Sequence, residues 1–373
     1  MKYFLIAGER SGDLHGSNLV KALRQFDPDG EFLGFGGDEM ERAGVKLTVH
    51  YRELAVMGFI SLATSLFRIF RYLKQCQAEI LAAQPDAVIL IDYGGFNLRL
   101  APTIKAQGIP VYYYISPKVW AWNQSRTLKL KKYTDKVFSI LPFENDFFHR
   151  FDFAVDYVGN PVLDAIKSFH PNAEFRKSLN VNADKRLVAL LPGSRAMELK
   201  RIVPLMATLA DGFPEIQFVV AVVNNLSPDL YEPFKSRKNV ILVQDATYDL
   251  LTVADAAIVT SGTATLETGI FKVPQVVVYK TSPLEYQLVK ALIKVEFISL
   301  VNLIAAKPVI QELIQRDANP ESVRVELQKL LFDESYRAMM KAEYENLYRI
   351  LDTGSASRNT ARLLVNDLRQ RKK

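Results

Sequence analysis

The sequence of 373 residues contains few of the residue types that form disulfides and metal sites. Its single cysteine, Cys76, excludes an internal disulfide framework and a cysteine-rich zinc site. The four histidines lack the spacing of metal ligands; they are His15, His50, His149 and His170. We therefore expect neither a metal ion nor another cofactor.

Long apolar runs are also missing from the sequence. None reaches the ~18 residues of a membrane-spanning helix, and Glu9 and Arg10 interrupt the opening apolar run too early for a signal peptide. We therefore expect a cytoplasmic protein. Hydrophobic residues make up 49% and charged residues 24%, which excludes a disordered or collagen-like chain. The formal net charge of +6 favours anionic partners such as a nucleotide, a nucleic acid or an acidic membrane surface.

Short apolar runs alternate with amphipathic helical patterns along the chain. Several runs, such as Ala87–Ile91 and Leu187–Leu191, are apolar throughout, which is typical of strands buried on both faces of a parallel sheet. The length exceeds one ordinary hydrophobic core. We predict an α/β protein with two doubly wound, Rossmann-like domains facing a cleft, residues 1–165 and 166–345, and a C-terminal helix in 346–373.

The loop after the first predicted strand, residues 8–16, combines small residues with acids. Its glycines allow a sharp turn and a close backbone approach to a ligand, whereas its acids would repel a pyrophosphate. We interpret the loop as facing a sugar or an acceptor, and the alternative is a tight turn with helix caps. The candidates are Ser11 and Gly12 as sugar contacts, and Glu9, Asp13 and His15 as acid–base groups.

Asp92 directly follows the apolar run Ala87–Ile91, and Asn97, five residues further on, is a candidate contact of the acceptor sugar. An acid at the C-terminal edge of a parallel sheet can act as a general base if its surroundings tune its pKa. The alternative for Asp92 is a turn or helix-cap residue.

Both tryptophans of the chain, Trp120 and Trp122, lie within three residues, shortly after Ser116. Tryptophan rings stack on sugar faces and also suit a membrane interface. We assign this segment to the acceptor sugar, and core packing under a loop is the alternative.

Two strand-to-helix loops in the second half predict an anion site. In the first loop, Arg195 could pair with phosphate oxygens. In the second loop, a helix start would place a pyrophosphate on the positive end of the helix dipole, and Glu267 could bind a ribose diol. Capped helices without a ligand are the alternative for both loops. The predicted contacts are Gly193, Ser194, Arg195, Ser261, Gly262, Thr263 and Glu267.

A predicted helix near residues 61–82 has an apolar face bordered by cations. Such a face can lie in a bilayer interface, although an ordinary core-facing helix with a basic side has the same pattern. The candidate membrane residues are Leu66, Phe67, Phe70, Arg68 and Arg71.

Taken in order along nearly the whole chain, these motifs resemble the lipid-A-disaccharide synthase family, inverting glycosyltransferases of the GT-B fold. Asp92 stands where the family needs an acid for activity, and Gly95 replaces the second acid that the family usually has. The most specific segments are 11–16, 55–58, 96–98, 116–117, 119–122, 141–144, 192–195, 261–264, 266–267, 299–300 and 302–303.

The resemblance implies a reaction in lipid A biosynthesis of Gram-negative bacteria. A UDP-linked 2,3-diacylglucosamine and 2,3-diacylglucosamine 1-phosphate would give a β-1,6-linked disaccharide 1-phosphate and UDP, without a metal ion. Asp92 is the first candidate for the general base, followed by Asp13, Glu9 and His15. Family members are soluble or peripheral on the inner face of the inner membrane, which favours the membrane interpretation of residues 62–74. A homodimer formed by exchange of C-terminal elements is compatible with the helical, basic tail.

Two other functions compete with this one. One is a different GT-B enzyme that uses UDP-N-acetylglucosamine, such as a 2-epimerase or the peptidoglycan glucosaminyltransferase. The other is a nucleic-acid-binding α/β protein, which only the positive charge suggests, since the sequence has no nucleic-acid recognition motif.

Overall fold

The computed structural model describes residues 1–55, 62–182, 184–224, 226–283, 286–287 and 295–372, without the side chains of residues 55, 62–67 and 122. The chain divides into two units. Unit 1 comprises Met1–Asp164 and Leu351–Lys373, and unit 2 comprises Ala165–Ile350.

Unit 1 is built on a seven-stranded parallel sheet with the strand order β3-β2-β1-β4-β5-β6-β7. The order reverses between β1 and β4, so the loops that follow these two strands flank the point where ligands bind in open α/β sheets. The strands are β1 (Lys2–Ala7), β2 (Glu31–Gly36), β3 (Lys46–His50), β4 (Ala87–Ile91), β5 (Val111–Tyr114), β6 (Lys136–Ser139) and β7 (Asp156–Tyr157).

Strands β4 and β5 are buried at every position, which is typical of inner strands of a parallel sheet with helices on both faces. The boundary between the units falls within the ninth helix. The helices are α1 (Arg10–Phe26), α2 (Asp38–Arg42), α3 (Tyr51–Ala55), α4 (Leu62–Ala83), α5 (Gly94–Ala106), α6 (Val119–Trp122), α7 (Arg126–Tyr133), α8 (Glu144–His149) and α9 (Pro161–Lys167).

Unit 2 contains a six-stranded parallel sheet in the order β10-β9-β8-β11-β12-β13. Here the order reverses between β8 and β11. The strands are β8 (Leu187–Leu191), β9 (Gln217–Val222), β10 (Val240–Gln244), β11 (Ala256–Thr260), β12 (Gln275–Tyr279) and β13 (Glu312–Ile314).

Helices also flank the second sheet, and the chain ends on two long ones. The helices of unit 2 are α10 (Phe175–Ser178), α11 (Ala196–Asp211), α12 (Glu232–Lys235), α13 (Thr247–Val253), α14 (Thr263–Ile270), α15 (Leu300–Ala305), α16 (Pro320–Phe332) and α17 (Glu334–Leu351), and α18 (Ala356–Arg371) follows them in unit 1.

The last helix, α18, returns to the core of unit 1. Its apolar residues recur at helical spacing, so one face carries Ala361, Leu364, Val365 and Leu368, all buried in the cluster that contains Tyr3. The helix begins at a capped N-terminus, where Asp164 accepts hydrogen bonds from Ser355 and from the N–H groups of residues 356 and 357.

The two predicted doubly wound sheets are confirmed. The strands predicted at Ala87–Ile91 and Leu187–Leu191 are present with those bounds as β4 and β8, whereas β3 and β13 were not predicted. None of the helices in the described ranges is long and apolar enough to cross a membrane.

Candidate functional site

Asp92 lies in a strained turn at the C-terminal edge of β4. Asp92 and Tyr93 have φ angles of +45° and +46°, a region that residues other than glycine rarely adopt. The Asp92 carbonyl accepts hydrogen bonds from the Tyr113 hydroxyl at 2.6 Å and the Asn97 amide at 2.9 Å, and the Asp92 N–H donates to the Tyr114 carbonyl at 3.0 Å. These contacts hold the unusual backbone in place and leave Asp92 partly exposed.

Asn97 therefore supports the turn from within. Its side chain is fully buried and donates to the carbonyls of Ile91 and Asp92. Sequence reasoning assigned Asn97 to the acceptor sugar, and the geometry instead gives it a role in shaping the Asp92 turn.

The loop after β1 contacts the Asp92 turn. A Cβ atom on Gly8 would lie 2.3 Å from the Tyr93 ring, so only glycine fits there. Burial raises the pKa of Tyr93, and the charge of Glu9 adds to this shift. Glu9 and Ser11 are exposed, whereas Gly12 is buried against β1. The structure therefore brings Glu9 and Asp92 to the same edge of the sheet.

The carboxylate of Asp13 is occupied by helix α2. It accepts hydrogen bonds from the backbone N–H groups of Gly37 at 2.8 Å, Glu39 at 3.0 Å and Met40 at 3.0 Å. The carboxylate therefore caps α2, whereas the alternative left open by the sequence was a cap on the helix that directly follows β1. Burial of Asp13 beneath α2 does not suit a proton acceptor for a substrate.

His15 is also a weak candidate for the general base. Burial lowers its pKa to about 4, and the charge of Asp164 opposes that shift. Among the described residues, its buried Nδ1 atom has no hydrogen-bond partner. The imidazole is therefore neutral at pH 7 and a poorer proton acceptor than an ordinary histidine.

Glu144 is a buried carboxylate to which four donors converge. Its Oε1 accepts from the Ser116 hydroxyl at 2.8 Å and the Trp120 indole at 3.1 Å, and its Oε2 accepts from the N–H groups of Ile140 and Leu141 at 3.0 Å each. Burial raises the pKa of Glu144, and these hydrogen bonds oppose the shift. The network ties the loop after β5 to the loop after β6.

Trp120 is therefore part of the core. The residue is 6% exposed, and its ring meets the Phe143 ring edge-on with 4.9 Å between the ring centroids. Neither face of the Trp120 ring is therefore open to a sugar. Ser116 is buried as well. The geometry favours core packing over acceptor stacking for both residues. The side chain of Trp122 lies outside the described part of the chain.

Helix α4 presents two different faces. Buried Tyr72, Leu73 and Cys76 pack inward, whereas Phe70 is 57% exposed. Arg71 is exposed, with its guanidinium 5.3 Å from the centre of the Tyr72 ring, and Arg68 is partly exposed. The side chains of residues 66 and 67 lie outside the described part. An exposed aromatic ring beside cations remains compatible with a membrane surface.

In unit 2, the loops after β8 and β11 are neighbours because these two strands pair directly. Gly193 has a φ of +109°, and Arg195 forms the N-cap of α11 with a 74% exposed side chain. The Ser261 hydroxyl donates to the carbonyl of Ile298 at 2.9 Å, and the exposed Thr263 begins α14. Two helix N-termini therefore lie at the switch point of this sheet, an arrangement that suits a diphosphate.

Glu267, one turn into α14, accepts a 2.7 Å hydrogen bond from the Tyr248 hydroxyl. The Tyr248 ring packs against the rings of Phe169 and Phe271, with 5.3 Å between the ring centroids in each pair. Burial raises the pKa of Glu267, and the hydrogen bond from Tyr248 opposes the shift. The carboxylate is thus held in a fixed orientation one turn from the N-terminus of α14.

Three residues that shape these sites were given no individual role in the sequence analysis: Tyr248, Glu144 and Glu198. The partner of Tyr248 lies 19 positions away, and Ser116 and Trp120 lie 28 and 24 positions from Glu144, so the local sequence does not indicate these contacts. Glu198 could have been found, because a carboxylate three residues after an N-cap position is typical of a capping box. Among the described residues, no group of three or more histidine, cysteine or acidic side chains is arranged to hold a metal ion.

Comparisons with known proteins agree with the predicted family. A family model described as lipid-A-disaccharide synthetase matches residues 3–365. A protein from Coxiella burnetii named lipid-A-disaccharide synthase is 36% identical over 366 residues, which is 97% of each chain. A relative of the same name from Syntrophus aciditrophicus is 38% identical, over 96% of this chain and 95% of its own.

Solved structures show the fold. A Neisseria meningitidis UDP-GlcNAc 2-epimerase bound to UDP-GlcNAc has a TM-score of 0.69 at 14% identity, covering 99% of this chain and 100% of its own. Medicago truncatula UGT71G1 complexed with UDP-glucose has a TM-score of 0.65 at 14% identity, covering 98% of each chain. The predicted GT-B fold is confirmed. Since an epimerase and a glycosyltransferase share it, the fold alone does not choose between them, whereas the family model does.

Proposed function

The chain belongs to the lipid-A-disaccharide synthetase family, and from this premise we propose that it joins UDP-2,3-diacylglucosamine to 2,3-diacylglucosamine 1-phosphate. It is a glycosyltransferase of lipid A biosynthesis. The products of the proposed reaction are a β-1,6-linked disaccharide 1-phosphate and UDP. The observation that carries the proposal is the match of the family model to residues 3–365.

We place the donor in unit 2. The diphosphate binds the loop of residues 193–195 and the start of α14, where backbone N–H groups and the Arg195 guanidinium face growing negative charge on the leaving UDP. Fixed donors of this kind stabilise a leaving group without reorganising during the reaction. Glu267 accepts hydrogen bonds from the ribose.

We place acceptor activation in unit 1. In single-displacement chemistry at a sugar, a carboxylate takes the proton of the attacking hydroxyl. Asp92 is the strongest candidate because it is partly exposed at the C-terminal end of β4. Hydrogen bonds from Asn97 and Tyr113 to its carbonyl hold its backbone in place. Exposed Glu9 is the second candidate, and the occupied Asp13 and the weakly basic His15 follow.

Because both proposed substrates carry acyl chains, we also propose that unit 1 binds the inner-membrane surface through α4. Exposed Phe70 would enter the interface while Arg68 and Arg71 meet anionic headgroups. Flotation with anionic vesicles tests this. Phe70→Ser should reduce binding, whereas Phe332→Ser, which removes an equally exposed ring from unit 2, should not. Equal binding by both variants would remove α4 as the anchor.

Product analysis by mass spectrometry tests the proposed reaction. The purified chain is given acylated or non-acylated UDP-glucosamine donors with 2,3-diacylglucosamine 1-phosphate. A disaccharide 1-phosphate formed only from the acylated donor supports the proposal. Conversion of UDP-N-acetylglucosamine to its 2-epimer, or transfer of its sugar, would support the competing GT-B functions instead.

A further inference from the structure

The loop proposed to bind the donor diphosphate already contains a carboxylate. The Glu198 side chain folds back from α11, and its Oε2 accepts a 3.3 Å hydrogen bond from the Ser194 N–H. Its Oε1 lies 3.4 Å from the Arg195 guanidinium. A Cβ atom on Gly193 would lie 2.5 Å from the same Oε2, so the carboxylate sits directly over the glycine.

These three contacts use the groups that a phosphate would need. A backbone N–H, an arginine and a glycine that admits close approach are features of an anion site. Glu198 is 20% exposed, whereas Arg195 is 74% exposed, so the carboxylate lies deeper in the loop than the guanidinium. A second anion cannot take the same N–H and the same space while Glu198 remains there.

We propose that Glu198 is an internal competitor for the diphosphate site: its carboxylate fills the loop when the donor is absent and is displaced when a phosphate group of UDP or the UDP-sugar binds. This inference rests on the donor site proposed above. Its consequence is a lower affinity for UDP than the loop could otherwise reach, which favours release of the product.

The alternative is that Glu198 only caps helix α11, and this role predicts a different effect of its removal on UDP affinity. A capping carboxylate in the third helical position normally bonds the N-cap N–H, which here is that of Arg195, but Glu198 bonds the N–H of the preceding residue, Ser194. If Glu198 only stabilised α11, its removal would lower the melting temperature and leave the affinity for UDP unchanged or weaker.

Calorimetry with UDP on wild type and E198Q separates the two roles, because glutamine keeps the shape and removes the charge. We expect E198Q to bind UDP roughly three- to tenfold more tightly, with a matching slower release in stopped-flow displacement. Affinity equal to or below wild type in a variant that melts cooperatively would overturn the inference. If E198Q fails to fold, E198D provides the same test. Its shorter side chain keeps the charge but reaches less far into the loop, so it should also bind UDP more tightly.

Two further variants complete the experiment. Glu215→Gln removes the same charge from an exposed site before β9, at the opposite edge of the sheet, and should not change UDP affinity.

Arg195→Ala should weaken UDP binding roughly 10- to 100-fold. If Arg195→Ala weakens binding and E198Q does not strengthen it, the competitor role fails while the donor site stands. If neither variant alters UDP affinity, the donor site itself is wrong.

Discussion

The hydroxyl of Tyr248 donates a 2.7 Å hydrogen bond to the carboxylate of Glu267, across 19 positions of the sequence. Aromatic packing against Phe169 and Phe271 fixes the Tyr248 ring, so the hydrogen bond fixes the carboxylate. One Glu267 oxygen is therefore taken by the protein, and the orientation of the other is set before a ribose arrives.

Tyr248→Phe should weaken UDP binding roughly 5- to 30-fold, because the carboxylate loses a hydrogen bond that orients it. Burial raises the pKa of Glu267 and the Tyr248 hydroxyl opposes the shift, so the variant should have a still higher pKa. Binding needs the ionised carboxylate and is lost as pH falls towards that pKa. The loss should therefore begin at a higher pH in Tyr248→Phe than in wild type, as measured by calorimetry across pH 5 to 8.

Tyr336→Phe is the matched control for that experiment. It removes a hydroxyl that donates to Glu326 at 2.6 Å, a second tyrosine–glutamate pair in unit 2. UDP binding in this variant should follow the wild-type pH dependence. Identical profiles for wild type and both variants would mean that Glu267 does not recognise the ribose.

Asp92→Asn should lower turnover roughly 10²- to 10⁴-fold, since an amide cannot accept the proton of the attacking hydroxyl. UDP affinity should be unchanged, because the proposed donor contacts lie in unit 2. Asp29→Asn, at an exposed position of unit 1, is the control for lost charge. A near-normal turnover number in Asp92→Asn would remove Asp92 from the role of base and leave Glu9 as the next candidate.

Glu144→Gln should destabilise the protein by about 2 kcal/mol, because one amide cannot accept all four hydrogen bonds that the carboxylate receives. Thermal melting measures the loss, with Glu41→Gln on the exposed side of α2 as the control. In ¹⁵N-resolved NMR spectra, the indole N–H of Trp120 should exchange slowly in wild type and faster in the variant, because Glu144 accepts its hydrogen bond. Unchanged exchange would show that Trp120 does not depend on Glu144.

The neutral His15 should make stability depend on pH. Its pKa is lowered from 6.5 to about 4 in the folded chain, so between these values the unfolded chain binds the proton and the folded chain does not. Stability from this residue is therefore complete above pH 6.5 and falls by up to about 3 kcal/mol as pH approaches 4. The melting temperature of His15→Asn should fall less between pH 7 and pH 4.5 than that of wild type, and parallel curves would contradict the buried, neutral state.

The sequence predicted both sheets because their central strands, such as Ala87–Ile91 and Leu187–Leu191, are apolar throughout and buried at every position. It did not predict β3, although the alternation of polar and apolar residues over Lys46–His50 is typical of a half-buried strand and could have indicated it. Strand β13 has three residues, too few for a periodic signal.

Individual roles were harder to predict than the loops that carry them. The roles predicted for Asp13 and Trp120 rested on the neighbouring residues in the sequence. In the structure, Asp13 bonds the N-terminus of α2 and Trp120 bonds Glu144, each 24 or more positions away. The local sequence does not indicate that a side chain turns inward to contact such a distant partner. The unusual φ angles of Asp92 and Tyr93 also depend on distant support, from Tyr113 and Tyr114.

The most direct test of the account is a crystal structure of the chain with UDP bound. We predict the diphosphate within hydrogen-bonding distance of the Ser194 and Thr263 N–H groups, with the Arg195 guanidinium on its oxygens and the ribose hydroxyls on Glu267. UDP bound elsewhere, or a diphosphate remote from both helix starts, would contradict the proposed donor site and the chemistry that depends on it.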